Sequence, residues 1–271
     1  MTESKKLSIV PFRCPVCGVD TNYVYKIEAE TEGGLEHSTW YRCTCGVVFQ
    51  DQLPNDNDIY NKDYAKIYGT GEKNQARGIH AARMYAPIIE ELTYGRMMLD
   101  VGFGTLHNLK FFEDRGWLTW GIDKHDGVKP GKNIYKGDFM AYNFNLPLHT
   151  KSLKELIGTD KIKKRTFNLI WMAHILEHFP DPLMALRKAY DLLSDDGVLY
   201  IATPDIDFVY KTGVGGWPHW KKKEHYVLWN EASLRREVER LGFKVVMSRR
   251  NFSARFTSWW DIHLICQKNY F

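Results

Sequence analysis

From residue 97 onward, short apolar runs alternate with stretches whose apolar residues recur at helical spacing. The runs predict strands at 97–101, 118–123, 134–135, 167–173, 198–202, 243–247 and 262–266. Helices are predicted between them. One covers 106–115 and stops at Gly116. A second covers 182–193, with Pro182 in its first turn and Gly197 shortly after its end. A third covers 231–241, capped by Asn230 and ended by Gly242, with Leu234, Val238 and Leu241 on one face. A further helical stretch is expected at 81–92, started or kinked by Pro87. Strands that alternate with helices in this way predict an α/β fold around a mostly parallel sheet.

The pattern divides the chain into three regions. Residues 1–55 hold four of the five cysteines, 56–95 are rich in Tyr, Lys and Asn, and 96–271 carry the alternation, with an insertion around 205–229. Of the 271 residues, 44% are hydrophobic and 26% charged, which excludes large-scale disorder. A formal net charge of +4 argues against a polycation built to coat nucleic acid. There are no internal repeats. No apolar stretch suits a signal peptide or a membrane span, so a cytoplasmic location is expected.

The sharpest chemical signal is Leu99-Asp100-Val101-Gly102-Phe103-Gly104-Thr105. Two glycines follow a strand and open a helix, where a tight turn lets a ligand approach backbone N–H groups. Asp123 ends the next strand, at a place where a carboxylate can accept from both hydroxyls of a ribose. A nicotinamide enzyme would share these features. However, the third glycine is missing, and two further acids, Asp100 and Asp138, flank the strand ends. That set suits a ligand without pyrophosphate that carries a cationic amino group.

Taken together, the motifs resemble a class I S-adenosylmethionine-dependent methyltransferase of the large small-molecule and quinone-type group. LDVGFGT, GID at 121–123, GDF at 137–139, FNLIWMAHILEHFPDP, SDDGVLYIATPD and HYVLWNEASLRREVERLGFKVV follow in the family's order. The resemblance implies a Rossmann-like sheet that binds S-adenosylmethionine. Gly102 and Gly104, with Phe103, would bear the methionine part, and Asp100 would reach its amino group through water. Asp123, beside Lys124, would hold the ribose. Asp138 and Phe139 would hold the adenine, and Ala173 and His174 would lie beside the cofactor. Leu106 stands where the family has another glycine, and Asn168 where it often has Asp.

Cys14-Pro15-Val16-Cys17-Gly18 has the form of a zinc knuckle, with a gap that lets both thiolates meet one ion. Cys43 and Cys45 are the expected partners, after a segment suited to a hairpin. This arrangement resembles the N-terminal zinc ribbon found before some of these methyltransferases, in which the second pair has a two-residue gap. With a one-residue gap, either the loop bends to keep four sulfur ligands, or one is lost and His37 is a possible substitute. Such a zinc would be structural.

For a hydroxyl acceptor, methyl transfer needs alignment and a base, and His has a suitable intrinsic pKa. His174, His178, His219 and His225 are candidates. The resemblance favours His178 and His225 as catalytic, with Trp217, Trp220, Tyr226 and Trp229 as an acceptor wall. Tyr64 and Tyr68 resemble lid residues, and the run Lys221-Lys222-Lys223 is either a solvated loop or an attractor of phosphorylated acceptors. The expected function is methyl transfer to a small polar acceptor, a hydroxyl of a sugar, nucleotide-sugar or related metabolite. A nucleic-acid methyltransferase is the alternative, opposed by the low charge and the lack of a (D/N)PP(Y/F) motif. A non-catalytic scaffold is the third reading.

Overall fold

A computed structural model describes residues 12–21, 23–31, 34–50, 72–144, 166–213, 217, 219–221, 224–252 and 260–269. Strands β1 (Phe12–Arg13) and β2 (Asp20–Thr21) form a small antiparallel pair. Strands β3 (Val24–Thr31), β4 (Gly34–Arg42) and β5 (Val48–Gln50) form an antiparallel sheet. Helix α1 (Glu72–Leu92) leads into β6 (Met97–Val101), α2 (His107–Glu113), β7 (Leu118–Asp123) and β8 (Ile134–Lys136). Next come β9 (Phe167–Ala173), a 3-10 turn at Leu176–His178, α3 (Pro182–Leu192) and β10 (Leu193–Pro204). After a 3-10 turn at Ile206–Phe208 and α4 (Val209–Thr212), the chain ends in β11 (Val227–Leu228), α5 (Glu231–Arg240), β12 (Phe243–Phe252) and β13 (Trp260–Lys268).

The central sheet has seven strands in the order β12-β13-β10-β9-β6-β7-β8. Only β13 runs against its neighbours β10 and β12; the β10–β9, β9–β6, β6–β7 and β7–β8 pairs are parallel. The order reverses between β6 and β9, and open sheets of this kind bind ligands outside the carboxyl ends at such a reversal. Helices cover both faces, which explains why β9 reads as a continuous apolar run. On one face Ala82, Tyr85, Ala86 and Ile89 of α1 pack with Met98, Leu169, Trp171 and Tyr200. On the other, Ala185, Leu186 and Ala189 of α3 and Leu234 and Val238 of α5 pack with Leu99, Ile170, Leu199 and Ile201.

Local chemistry sets the helix ends. Asp181 caps α3 by accepting from the Met184 N–H, and Pro182 follows it. Asn230 and Ser233 form a capping box at the start of α5, and Gly242 ends it at φ 98°. The helix expected at 81–92 is present, but Pro87 does not start it. The helix begins at Glu72 and carries Pro87 inside it, on an exposed position between the buried Tyr85, Ala86 and Ile89. Burial of that apolar face offsets the lost backbone hydrogen bond. A second difference concerns the order of the N-terminal sheet, β11-β5-β4-β3. Its β11 comes from the far end of the 205–229 insertion, with Val227 opposite Phe49 and Leu228 opposite Val48.

Candidate active site

The turn after β6 is built from two left-handed glycines, Gly102 at φ 71° and Gly104 at φ 54°. The Gly102 N–H donates to the Ile122 carbonyl over 2.8 Å. A Cβ at Gly102 would lie 2.7 Å from Ile175 Cδ1, so packing as well as backbone angle requires glycine there. The Gly104 N–H donates to Asp123 Oδ2 over 2.8 Å, and Asp123 Oδ1 accepts from the His125 N–H over 3.1 Å. His125, which the sequence reading passed over, is buried and completes this clamp. Its Nδ1 accepts from the Gly127 N–H over 3.0 Å, which leaves the ring proton on Nε2, 3.2 Å from the Gly104 carbonyl. The only hint of it in sequence is its place just beyond Asp123. Phe103 packs with Leu109 and Val128 beneath the turn.

Asp100 is buried at the end of β6. Burial, with the nearby Asp123 charge, pushes its carboxyl up to about 8, against a hydrogen bond from Asn108. Among the described residues, Asp100 Oδ2, Asn108 Oδ1 and His107 Nδ1 are buried without a hydrogen-bond partner. Buried polar atoms are normally paired, so this cluster is suited to a cationic ligand group. The adenine candidates part company. Asp138 is exposed, and its Oδ1 accepts from the Met140 N–H over 2.6 Å. Phe139 is turned into an aromatic cluster with Phe144 and Phe179. Lys188 Nζ holds the loop behind it by donating to the carbonyls of Phe139, Met140 and Tyr142.

At the carboxyl ends of β9 and β10, His174 follows Ala173 with φ 53°, a left-handed value uncommon outside glycine. Its side chain is 37% exposed, with Nδ1 3.6 Å from Glu177 Oε1 and Nε2 3.5 Å from Asp261 Oδ2. Burial opposes its charge, but Asp261 and Glu177 overcome this and push the imidazole up to about 10. Burial likewise opposes ionisation of Glu177, yet the adjacent His174 and His178 imidazoles hold its carboxyl below the usual range.

His178 and His225, on elements 47 residues apart, face each other with ring centroids 5.0 Å apart. Burial lowers both pKa values, that of His225 well below the usual range, which favours the neutral form of both rings. His225 Nδ1 lies 2.9 Å from the His219 carbonyl, which can only accept, so the ring proton is there and Nε2 keeps its lone pair. His219 is buried too, and burial lowers it to about 4. Trp217, Trp220, Tyr226 and Trp229 are all buried. Ile175, which touches the glycine turn, precedes the Leu176–His178 turn and joins the two halves of the site.

The N-terminal sheet reaches this edge directly. Gln50 at the end of β5 donates from Nε2 to the His225 carbonyl and, over 3.4 Å, to that of Lys221. The Gln50 N–H donates to the Tyr226 carbonyl over 3.0 Å, and the Tyr226 N–H donates to Glu177 O over 2.7 Å. Arg236 of α5 donates twice to the Cys45 carbonyl, each over 3.1 Å.

All four N-terminal cysteines converge, with their sulfurs within 4.8 Å of one another. Cys14 and Cys45 are 3.7 Å apart and Cys17 and Cys43 3.3 Å apart. The one-residue gap is accommodated because Gly46 turns at φ 101° and its N–H donates to the Cys43 carbonyl. A hydrogen bond with the Cys14 thiol, then burial, pushes the Cys45 thiol up. The side chain of His37 lies outside the described residues, as do Tyr64, Tyr68, Lys222 and Lys223.

Residues 74–248 match the family described as a methyltransferase domain. The chain is 30% identical over 191 residues to the S-adenosylmethionine sensor upstream of mTORC1 of Danio rerio, an alignment covering 66% of this chain and 46% of that protein. Its Xenopus laevis counterpart is 30% identical over 130 residues, covering 44% and 31%. The chain thus spans less than half the length of the curated relatives it matches. The fold is similar to that of magnesium protoporphyrin IX methyltransferase from Synechocystis, solved with bound SAH (TM-score 0.53, 14% identity, 78% of this chain and 97% of that one). It is equally similar to Burkholderia thailandensis 1,6-didemethyltoxoflavin-N1-methyltransferase (TM-score 0.53, 16% identity, 92% and 100%).

Proposed function

The chain belongs to the methyltransferase domain family, and from that premise we propose that it transfers a methyl group from S-adenosylmethionine to a hydroxyl of a small polar acceptor, a sugar, nucleotide-sugar or related metabolite. The observation that carries the cofactor half is the group of partnerless buried atoms at the glycine turn. Asp100 Oδ2 and Asn108 Oδ1 suit an ammonium group, and Asp123, at the end of β7, suits the ribose beside it. The cofactor supplies a methyl group on a sulfonium, and the protein supplies alignment. His178 and His225 serve the acceptor, each a buried imidazole able to take a hydroxyl proton, His225 as the weaker base because burial lowers it further. Calorimetry with S-adenosylhomocysteine, followed by a methyl-transfer screen against sugar nucleotides and nucleic acids, tests the reading. Absence of binding, with Asp123→Ala changing nothing, overturns it.

Zinc on Cys14, Cys17, Cys43 and Cys45 belongs to the same reading. Zinc–sulfur bonds of about 2.3 Å place tetrahedral sulfurs about 3.8 Å apart, close to the spacings in this cluster. Four protein ligands leave no open position, so the ion would be structural, holding the start of β5, the strand that ends at Gln50. Metal analysis with and without Cys45→Ser checks it. A second reading, cofactor binding without turnover, is favoured by the name of the curated relatives, S-adenosylmethionine sensors. The buried acid and histidine set beside the turn favours catalysis instead. Tight S-adenosylhomocysteine binding with no methyl transfer to any acceptor would support the sensor reading.

A further inference from the structure

Glu177, His178 and His225 are all buried, and each offers a ligand atom within 4.8 Å of the other two. Two of the three, Glu177 and His225, are also oriented from behind. Glu177 Oε2 accepts from Thr203 Oγ1 over 3.0 Å, which leaves Oε1 buried without a hydrogen-bond partner among the described residues. His225 is held through Nδ1 by the His219 carbonyl, so its lone pair is on Nε2. A carboxylate anchored through one oxygen and an imidazole anchored through one N–H are the usual outer arrangement of metal ligands.

We propose that Glu177, His178 and His225 bind a divalent transition-metal cation at the carboxyl edge of the central sheet. The proposal rests on the reading that the acceptor is activated at this edge. Two imidazoles and one carboxylate suit the first-row divalent ions. Bonds of about 2.1 Å put donor pairs roughly 3.0 to 4.2 Å apart. His178 Nε2 and Glu177 Oε1, at 3.9 Å, already lie in that window. The 4.8 Å limit on the other pairs closes with a contraction of roughly half an ångström. His174 is closer to Glu177 Oε1, at 3.6 Å, but it has Asp261 as a second carboxylate and can keep its charge paired there.

Three protein ligands leave positions open, in contrast to the four-sulfur cluster. An acceptor hydroxyl at an open position would have its pKa lowered by the cation and would lose its proton to solvent. In that state the two histidines act as ligands and do not take the proton themselves.

The test uses the full chain with its cysteine cluster loaded stoichiometrically with zinc, titrated with Mn2+ alone and followed by the electron paramagnetic resonance of free Mn2+. Wild type should bind one Mn2+ per chain. Glu177→Gln and His225→Gln should each weaken binding at least tenfold without changing zinc content. Thr203→Val, a milder change that removes only the anchor of Glu177, should weaken it severalfold and guards against misfolding of the other two. No saturable binding by wild type, or equal binding by all variants, overturns the proposal. S-adenosylhomocysteine affinity is measured on the same samples. If it binds and Mn2+ does not, the cation falls and the methyl-transfer reading stands; if Mn2+ binds and it does not, the reverse holds.

Discussion

Asp100 offers a pH-dependent prediction whose size follows from the structure. In the free protein its carboxyl is pushed up to about 8, first by burial and then by Asp123. Near pH 6 such a group is ionised in about one molecule in a hundred, and near pH 7 in about one in ten. If Asp100 receives the ammonium group of S-adenosylhomocysteine, binding must first remove that proton. Affinity should rise about tenfold from pH 6 to pH 7 and level off above pH 8. The full range corresponds to about 2.7 kcal/mol at two pH units below the pKa. Calorimetry in buffers of different ionisation enthalpy should register close to one proton released per binding event at pH 6. Asp100→Asn should bind more weakly and lose both the slope and the proton release. Linkage fixes the sign for stability. The folded pKa is raised above the carboxylate value of 3.8, so this group's contribution falls as pH rises from there to about 8. The ligand's thermal shift should therefore grow over the same range. A flat affinity between pH 6 and pH 8 with no proton release would refute the assignment of Asp100 to the ammonium group.

Gly102→Ala forces a Cβ to within 2.7 Å of Ile175 at a φ of 71°, and it should cost about 1–3 kcal/mol of stability and weaken S-adenosylhomocysteine binding, as read by melting and calorimetry. Gly95→Ala would bring a Cβ to 2.1 Å from Asn168 Oδ1, displacing the side chain that accepts from the Met97 N–H and donates to Ser194. That should cost about 1–3 kcal/mol by denaturant titration and leave ligand affinity in the surviving fold unchanged. Gln50→Leu removes the donor to the His225 carbonyl and should lower turnover severalfold at unchanged S-adenosylhomocysteine affinity, so a matched loss of both would count against a role confined to the acceptor edge.

Much of the fold was legible in the sequence because the signals are local. A short apolar run such as 167–173, broken only by Asn168, reads as a strand buried on both faces, and Asp181-Pro182 and Asn230 through Ser233 carry their helix caps within four residues. The glycine turn and Asp123 were legible for the same reason, since backbone angle and strand-end position are properties of short segments. Pro87 does not mark the helix start because the turns before it are held by tertiary burial of neighbouring residues, which local propensity does not register. His125 escaped because its role lies in two backbone contacts and leaves no motif.

By itself, then, the sequence determined an α/β chain with a glycine turn, a strand-end acid and two cysteine pairs, all set by periodicity and short-range backbone demands. Only the tertiary structure decided what those parts do to one another. It brought four sulfurs together despite a one-residue gap, and it joined β11 to β5 so that Gln50 reaches His225 from 175 residues away. It also drew Glu177, His178 and His225 into one buried group. The physical reason is that burial and the convergence of charge depend on which elements cross at the sheet's carboxyl edge. No window of sequence contains that crossing.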